Sequence, residues 1–100
     1  MILKVAFKNE DSINGLQELL KNYSSIELIK LSETSNRINA FKLKHYYGAK
    51  LSPFACLIDN NGKHIQAFYS ENKSFSLDYI KNVLDHWLLY NQIEDGSGRS

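Results

Sequence analysis

The sequence is poor in cysteine and in net charge, and it has no long apolar run; each shortage excludes a class of function. Its single cysteine, Cys56, excludes an internal disulfide, a CxxC redox motif and a zinc site built on paired cysteines. The formal net charge of +1 argues against a strongly basic nucleic-acid protein. No apolar run approaches the ~20 residues that a membrane-spanning helix needs. We therefore expect a cytoplasmic chain that uses no metal, cofactor or membrane.

The remaining composition is that of one globular domain. The chain has 100 residues, of which 43% are hydrophobic and 23% are charged, and a chain of this size can bury one core without disulfides. We expect a single domain over residues 1–92. Residues 94–100 contain no apolar side chain, so residues 93–100 are expected to form a flexible tail whose last five residues resemble a cloning remnant.

Hydrophobic periodicity and turn residues predict the order β-α-β-α-β-β-α. The expected elements are strands over 3–7, 26–31, 54–58 and 65–69, and helices that begin near Asp11, Thr34 and Ser76. We expect Gly48 to end the second helix and Asn61–Gly62 to form the turn of the hairpin. A strand–helix–strand unit makes parallel strands, whereas a hairpin makes antiparallel ones. The prediction is an α/β fold with a four-stranded mixed sheet and helices on both faces.

Apolar stripes on the helices predict which residues enter the core, and those of the last two helices are the most informative. The stripe of the last helix is expected to supply much of it, through Leu77, Ile80, Val83, Leu84, Trp87 and Leu88. The second helix has two adjacent stripes, Ile38, Phe41 and His45 on one and Ala40, Leu43 and Tyr47 on the other. We expect Phe41 and one neighbouring tyrosine to enter the core.

Residues 40–63 resemble a segment of the thioredoxins. That family has a helix ending in Tyr-Gly, a short loop, a proline, an apolar strand and an Asn-Gly turn, matched here by Tyr47–Gly48, Pro53, residues 54–58 and Asn61–Gly62. The resemblance extends over about residues 3–90. It implies a thioredoxin-like fold with a cis peptide bond before Pro53.

The sequence departs from the family where the family places its catalytic cysteines. In thioredoxins and glutaredoxins a CxxC motif follows the first strand, and a helix N-terminus there stabilises the thiolate. This chain has Lys8, Asn9, Glu10, Asp11 and Ser12 at that place. A serine hydroxyl has no thiolate chemistry at neutral pH, so no catalytic residue is carried over from the family.

Without the catalytic cysteines, the resemblance implies a binding function. In the family, the loop before the proline offers backbone groups to an extended substrate. The leading hypothesis is a non-catalytic module that binds a protein partner, within a larger assembly or alone. Its expected binding residues are Ser52, Pro53 and Phe54, with Lys8, Asn9, Glu10 and Asp11 in the neighbouring loop.

Two alternatives stay open. A degenerate glutaredoxin-like protein would bind a thiol compound such as glutathione, or a disulfide substrate, at the Pro53 loop. A nucleic-acid adaptor would use the basic and aromatic stretch from Arg37 to Lys50. We favour a solvated helix face for that stretch, because we expect its aromatic residues to be needed in the core.

Two further features favour structural roles. Cys56 lies between Ala55 and Leu57, which indicates a buried and slowly reacting thiol rather than a redox-active one. Glu10 and Asp11 form an acidic pair at a helix start, where carboxylates are stabilising without any metal or general-acid role. The oligomeric state is not indicated by any pattern in the sequence.

Overall fold

The computed structural model describes the backbone of residues 1–99 and the side chains of residues 1–89. The strands are β1 (Ile2–Phe7), β2 (Glu27–Ser32), β3 (Phe54–Ile58) and β4 (His64–Tyr69). The helices are α1 (Asn14–Leu20), which follows a 3₁₀ turn at Glu10–Ile13, α2 (Arg37–Tyr46) and α3 (Leu77–Arg99). The expected tail over residues 93–100 lies outside the residues whose side chains are described, so it stays a prediction.

The strands form one mixed sheet in the order β2-β1-β3-β4. Strand β1 is parallel to β2 and antiparallel to β3, and β3 is antiparallel to β4. Gly48, after α2, and Gly62, in the β3–β4 turn, adopt φ values of 65° and 83°, a region that favours glycine. The predicted α/β order and the four-stranded mixed sheet are confirmed. None of the helices in the described part of the chain combines the length and the hydropathy that spanning a bilayer requires.

Helices α1 and α3 cover one face of the sheet over the larger hydrophobic cluster. Leu16 of α1 and Ile80 and Leu84 of α3 pack there against sheet residues such as Leu57 and Phe68. The predicted role of α3 is confirmed for Ile80 and Leu84, while Val83, Trp87 and Leu88 are half-buried against the same cluster. Leu77 is not part of the core. It lies at the start of α3 and packs over Gly15, so closely that a Cβ atom added to Gly15 would lie 2.6 Å from Leu77 Cδ1.

Helix α2 covers the opposite face over a smaller cluster. Ala40 and Leu43 are buried there against Ala6, Phe54 and Cys56 of the sheet. The other stripe of α2 faces outward, with Ile38 71% exposed and Phe41 66% exposed. The expectation that Phe41 enters the core is therefore wrong. Small side chains at positions 6 and 40 favour close packing of the Ala40 stripe, and a helix can present only one stripe to a flat sheet.

Candidate functional site

Three loops meet at one end of the sheet. Strands β1 and β2 end there and β3 begins there, since Ala6 pairs with Phe54 and the next residues outward are Phe7 and Pro53. The backbone N–H of Glu33 donates to the carbonyl of Phe7 at 2.8 Å, which ties the β2–α2 loop to the end of β1. Residues 8–11, 33–36 and 50–53 are thereby gathered as neighbouring segments.

The loop over residues 8–11 is exposed, and two of its four side chains have structural roles. Asn9 Oδ1 accepts from the backbone N–H of Asp11 at 3.0 Å and so caps the 3₁₀ turn. Glu10 Oε1 accepts from Lys30 Nζ at 2.7 Å, and this hydrogen bond lowers the pKa of Glu10 below its ordinary value. Lys8 and Asp11 are exposed. Among the described residues, no three side chains of histidine, cysteine, aspartate or glutamate lie close enough together to bind a metal ion.

Hydrogen bonds within a partly buried polar cluster connect the segment before Pro53 to α2 and to the loop after β2. Lys44 Nζ, on α2, lies 2.7 Å from Ser52 Oγ and 3.4 Å from Glu33 Oε1. The Ser52 hydroxyl donates to the other carboxylate oxygen of Glu33. The Lys44 and Glu33 side chains are only 12% and 20% exposed, so this ion pair is less screened by water than a surface pair.

The segment Lys50–Ser52 has free backbone hydrogen-bonding groups. Within the described residues, none of its backbone groups bonds to another backbone group. The side chain of Leu51 is 65% exposed. The next residue, Pro53, is buried, and the Ser52–Pro53 peptide bond is cis, as the resemblance implies.

The side chain of Phe54 is not part of this exposed site. Phe54 is fully buried between the ring of Tyr47, with centroids 5.1 Å apart, and the ring of Tyr69, at the same separation. The prediction that Phe54 contacts a partner is corrected accordingly: as the first residue of the central strand β3, it packs into the α2 face of the sheet. The exposed apolar residue at this site is Leu51.

The single cysteine lies in a hydrogen-bonded chain on the same face. Tyr47 Oη is 2.8 Å from Cys56 Sγ and 2.5 Å from His64 Nδ1, so the tyrosine joins a buried thiol to an exposed imidazole. Burial raises the pKa of Tyr47 and also raises the pKa of Cys56 above its ordinary value. The predicted burial of Cys56 is confirmed, and its slow reaction with thiol reagents stays a prediction.

An open groove of about 1180 Å³ runs along the outer side of α2. Its apolar lining includes Ile38 and Phe41, and the Phe41 ring stacks on His45 with centroids 5.5 Å apart and an interplanar angle of 13°. Arg37, Lys42 and Lys50 also line it and are exposed. The exposure of Phe41 removes the argument that this stretch is a merely solvated helix face.

Sequence reasoning predicted Ser52 as a binding residue but missed its two hydrogen-bond partners, Glu33 and Lys44. Glu33, Lys44 and Ser52 are 11 and 8 residues apart along the chain, and they meet only because β2, α2 and β3 converge. The exposure of Leu51 had only a weak signal in the sequence. Leu51 is a large apolar residue in the loop between Gly48 and Pro53, and it belongs to no helical or strand periodicity that would predict its burial.

No protein-family model, curated protein or solved structure matches this chain.

Proposed function

We propose that this chain is a non-catalytic, thioredoxin-like module that binds an extended segment of a protein partner at the end of its sheet. The strand order and the two helices on one face with one on the other are consistent with the fold that the resemblance implies. The order Tyr47–Gly48, Pro53 and Asn61–Gly62 supports the same assignment.

The observation that carries this proposal is the free backbone of Lys50–Ser52 beside the exposed Leu51. An extended peptide that pairs with such a segment gains main-chain hydrogen bonds, while a side-chain contact supplies specificity. Covering an exposed leucine contributes about 1.5–3 kcal/mol when its burial becomes complete. This segment therefore offers both components of strand-type peptide binding.

The polar cluster supports the proposal because it holds the binding segment in place before a partner arrives. Ser52 is bonded to both Glu33 and Lys44, and the adjacent Pro53 is buried. A segment ordered in advance loses less conformational entropy on binding, which raises affinity. We infer that Glu33 and Lys44 act as positioning residues for the segment and do not contact the partner themselves.

The burial of Cys56 and the lack of a cysteine at residues 8–12 support a binding role over an oxidoreductase role. The loop where the family has its reactive cysteines contains Lys8, Asn9, Glu10, Asp11 and Ser12. The one cysteine of the chain, Cys56, is fully buried in β3, and burial raises the pKa of its thiol. A buried, protonated thiol is a poor nucleophile.

The test begins with a partner isolated from a lysate of the native host on the immobilised chain, identified, and prepared in pure form. Its affinity is then measured for the wild type, Leu51→Ser and Leu89→Ser by calorimetry. Leu89 is a matched control because it is a leucine of similar exposure, 56%, on α3. We expect Leu51→Ser to weaken binding about tenfold or more, and Leu89→Ser to leave it unchanged.

Equal affinity of all three proteins, with their melting temperatures unchanged, would place the partner elsewhere and reject this proposal. A separate insulin-reduction assay tests the non-catalytic part. Turnover that disappears in Cys56→Ala would contradict it.

A further inference from the structure

Helix α2 presents an apolar strip to solvent on the side opposite the sheet. Ile38 and Phe41 are three residues apart, and side chains with this spacing are neighbours on a helix surface. They belong to the groove of about 1180 Å³, which is larger than most small-molecule sites. Adjacent exposed side chains of this size on a small domain commonly mark an interaction surface.

The unpaired charges around this strip are all positive. Arg37, Lys42 and Lys50 line the groove, and none of the three forms an ion pair within the part of the chain that the structure describes. The one acidic residue of the lining, Glu33, is already bonded to Ser52 and Lys44. The groove therefore combines two exposed apolar side chains with three cations that form no ion pair among the described residues.

From this combination we propose that the exposed face of α2 binds an acidic peptide segment whose apolar side chains contact Ile38 and Phe41. Carboxylates of the segment pair with Arg37, Lys42 and Lys50 at the rim, where charge complementarity sets orientation and specificity. The apolar contacts at the centre supply most of the affinity. This inference goes beyond the proposed function, because it concerns the outer side of α2, which shares only Lys50 with the segment Lys50–Ser52.

Several contacts favour a peptide over single-stranded nucleic acid. Nucleic-acid channels stack successive bases on open aromatic rings along a basic groove. Here Phe41 already stacks on His45, and its neighbour in the strip is Ile38, which offers no stacking face. A second copy of this chain is disfavoured as well. A symmetric contact through the two α2 faces would bring Arg37 and Lys42 close to the same residues of the other copy.

The test selects ligands from a displayed library of random peptides about twelve residues long on the immobilised wild-type chain. The enriched peptides are synthesised with a fluorescent label, and their affinities are measured by anisotropy. We expect them to be rich in aspartate, glutamate and large apolar residues. The double variant Ile38→Ser/Phe41→Ser should bind them about thirtyfold more weakly, as for residues at the centre of an interface.

Charge-reversal variants measure the contribution of the charged rim separately from that of the apolar centre. Arg37→Glu/Lys42→Glu should weaken binding about tenfold at low salt and less at high salt, because salt screens exposed charges. Lys63→Glu, an exposed position in the β3–β4 turn, is the control for charge reversal and should leave affinity unchanged. Leu51→Ser should also leave it unchanged, so the failure of this inference and that of the proposed function are distinguishable.

Three results would overturn the inference. The first is a selection that enriches no acidic peptide. The second is an enriched peptide that binds the Ile38→Ser/Phe41→Ser variant as tightly as the wild type. The third is tight, salt-dependent binding of labelled oligothymidylate that is lost in Arg37→Glu/Lys42→Glu, which would assign the groove to nucleic acid.

Discussion

The two faces of the sheet are built from different interactions. The face under α1 and α3 is a continuous apolar cluster, in which Leu3, Val5, Leu57 and Leu84 are each fully buried. The face under α2 has a smaller apolar cluster, and polar side chains are bonded around it: Tyr47 to Cys56 and His64, and Ser52 to Glu33 and Lys44. The first face has the interactions expected to dominate stability, whereas the second carries the exposed segments with which a partner could bind.

Helix α2 differs from α1 and α3 in which apolar residues it packs against the sheet. Helices α1 and α3 turn large apolar residues inward, Leu16 and Leu20 on α1 and Ile80 and Leu84 on α3. Helix α2 turns Ala40 and Leu43 inward and leaves Ile38 and Phe41 outside. Leaving two large apolar side chains outside lowers the hydrophobic contribution of α2 to folding and keeps the apolar surface at which we propose that a peptide binds.

The largest expected effect tests the face under α1 and α3. Leu84 is fully buried in its cluster, so Leu84→Ala should lower the free energy of unfolding by about 2–5 kcal/mol. Total stabilities are ~5–15 kcal/mol, so this is a large fraction. Urea unfolding measures the change. The control is Leu89→Ala on the exposed side of α3, and a similar loss in both variants would contradict the assignment of this face as the main core.

The next effect tests the polar cluster near α2. Glu33→Gln removes the carboxylate that pairs with the mostly buried Lys44 and accepts from Ser52, so it should lower the free energy of unfolding by about 1–3 kcal/mol. Glu10→Gln removes an exposed ion pair with Lys30 and should have no measurable effect. Equal melting temperatures for Glu33→Gln and the wild type would show that the cluster does not hold the segment before Pro53.

Alkaline pH should weaken the α2 face first. Burial raises the pKa of Cys56 above its ordinary value of 9.0, so the unfolded chain loses this proton at a lower pH than the folded chain does. The stability that this group contributes is thus complete below about pH 9 and declines as pH rises, at about 1.4 kcal/mol per pH unit. Urea unfolding at several pH values should show a shallower decline for Cys56→Ala. Identical slopes in the two proteins would refute the prediction.

Acidic pH should act on the other face, with the smallest effect. Asp85 of α3 accepts from Lys81 Nζ at 2.8 Å and from Tyr23 Oη at 2.6 Å, and these bonds lower the pKa of Asp85 below its ordinary value of 3.8. The stability from this carboxylate is present above about pH 3.8 and is lost as pH falls through the lower folded value. Acid unfolding of Asp85→Asn should therefore be less steep than that of the wild type. Glu18→Gln on α1 is the control.

Much of the fold could be predicted from local patterns, because those patterns act over a few residues. Gly48 and Gly62 end a helix and a turn where their φ values require glycine, and Cys56 lies between apolar neighbours in a buried strand. The candidate site was predicted less well. Ser52 and Pro53 directly precede β3 at the end of the sheet, but the side chain of Phe54 is buried, and the exposed apolar residue is Leu51.

By itself, the sequence determined the order of elements, the mixed sheet and the lack of a paired-cysteine site, since periodicity, turn residues and residue counts are properties of the chain alone. Only the tertiary structure decided which stripe of α2 faces the sheet, because both stripes have helical spacing; the stripe with Ala40 and Leu43 is the one buried in the cluster that contains Ala6. It also decided the meeting of Glu33, Lys44 and Ser52, which requires three elements to converge at one end of the sheet. The two surfaces proposed for binding both depend on these long-range placements.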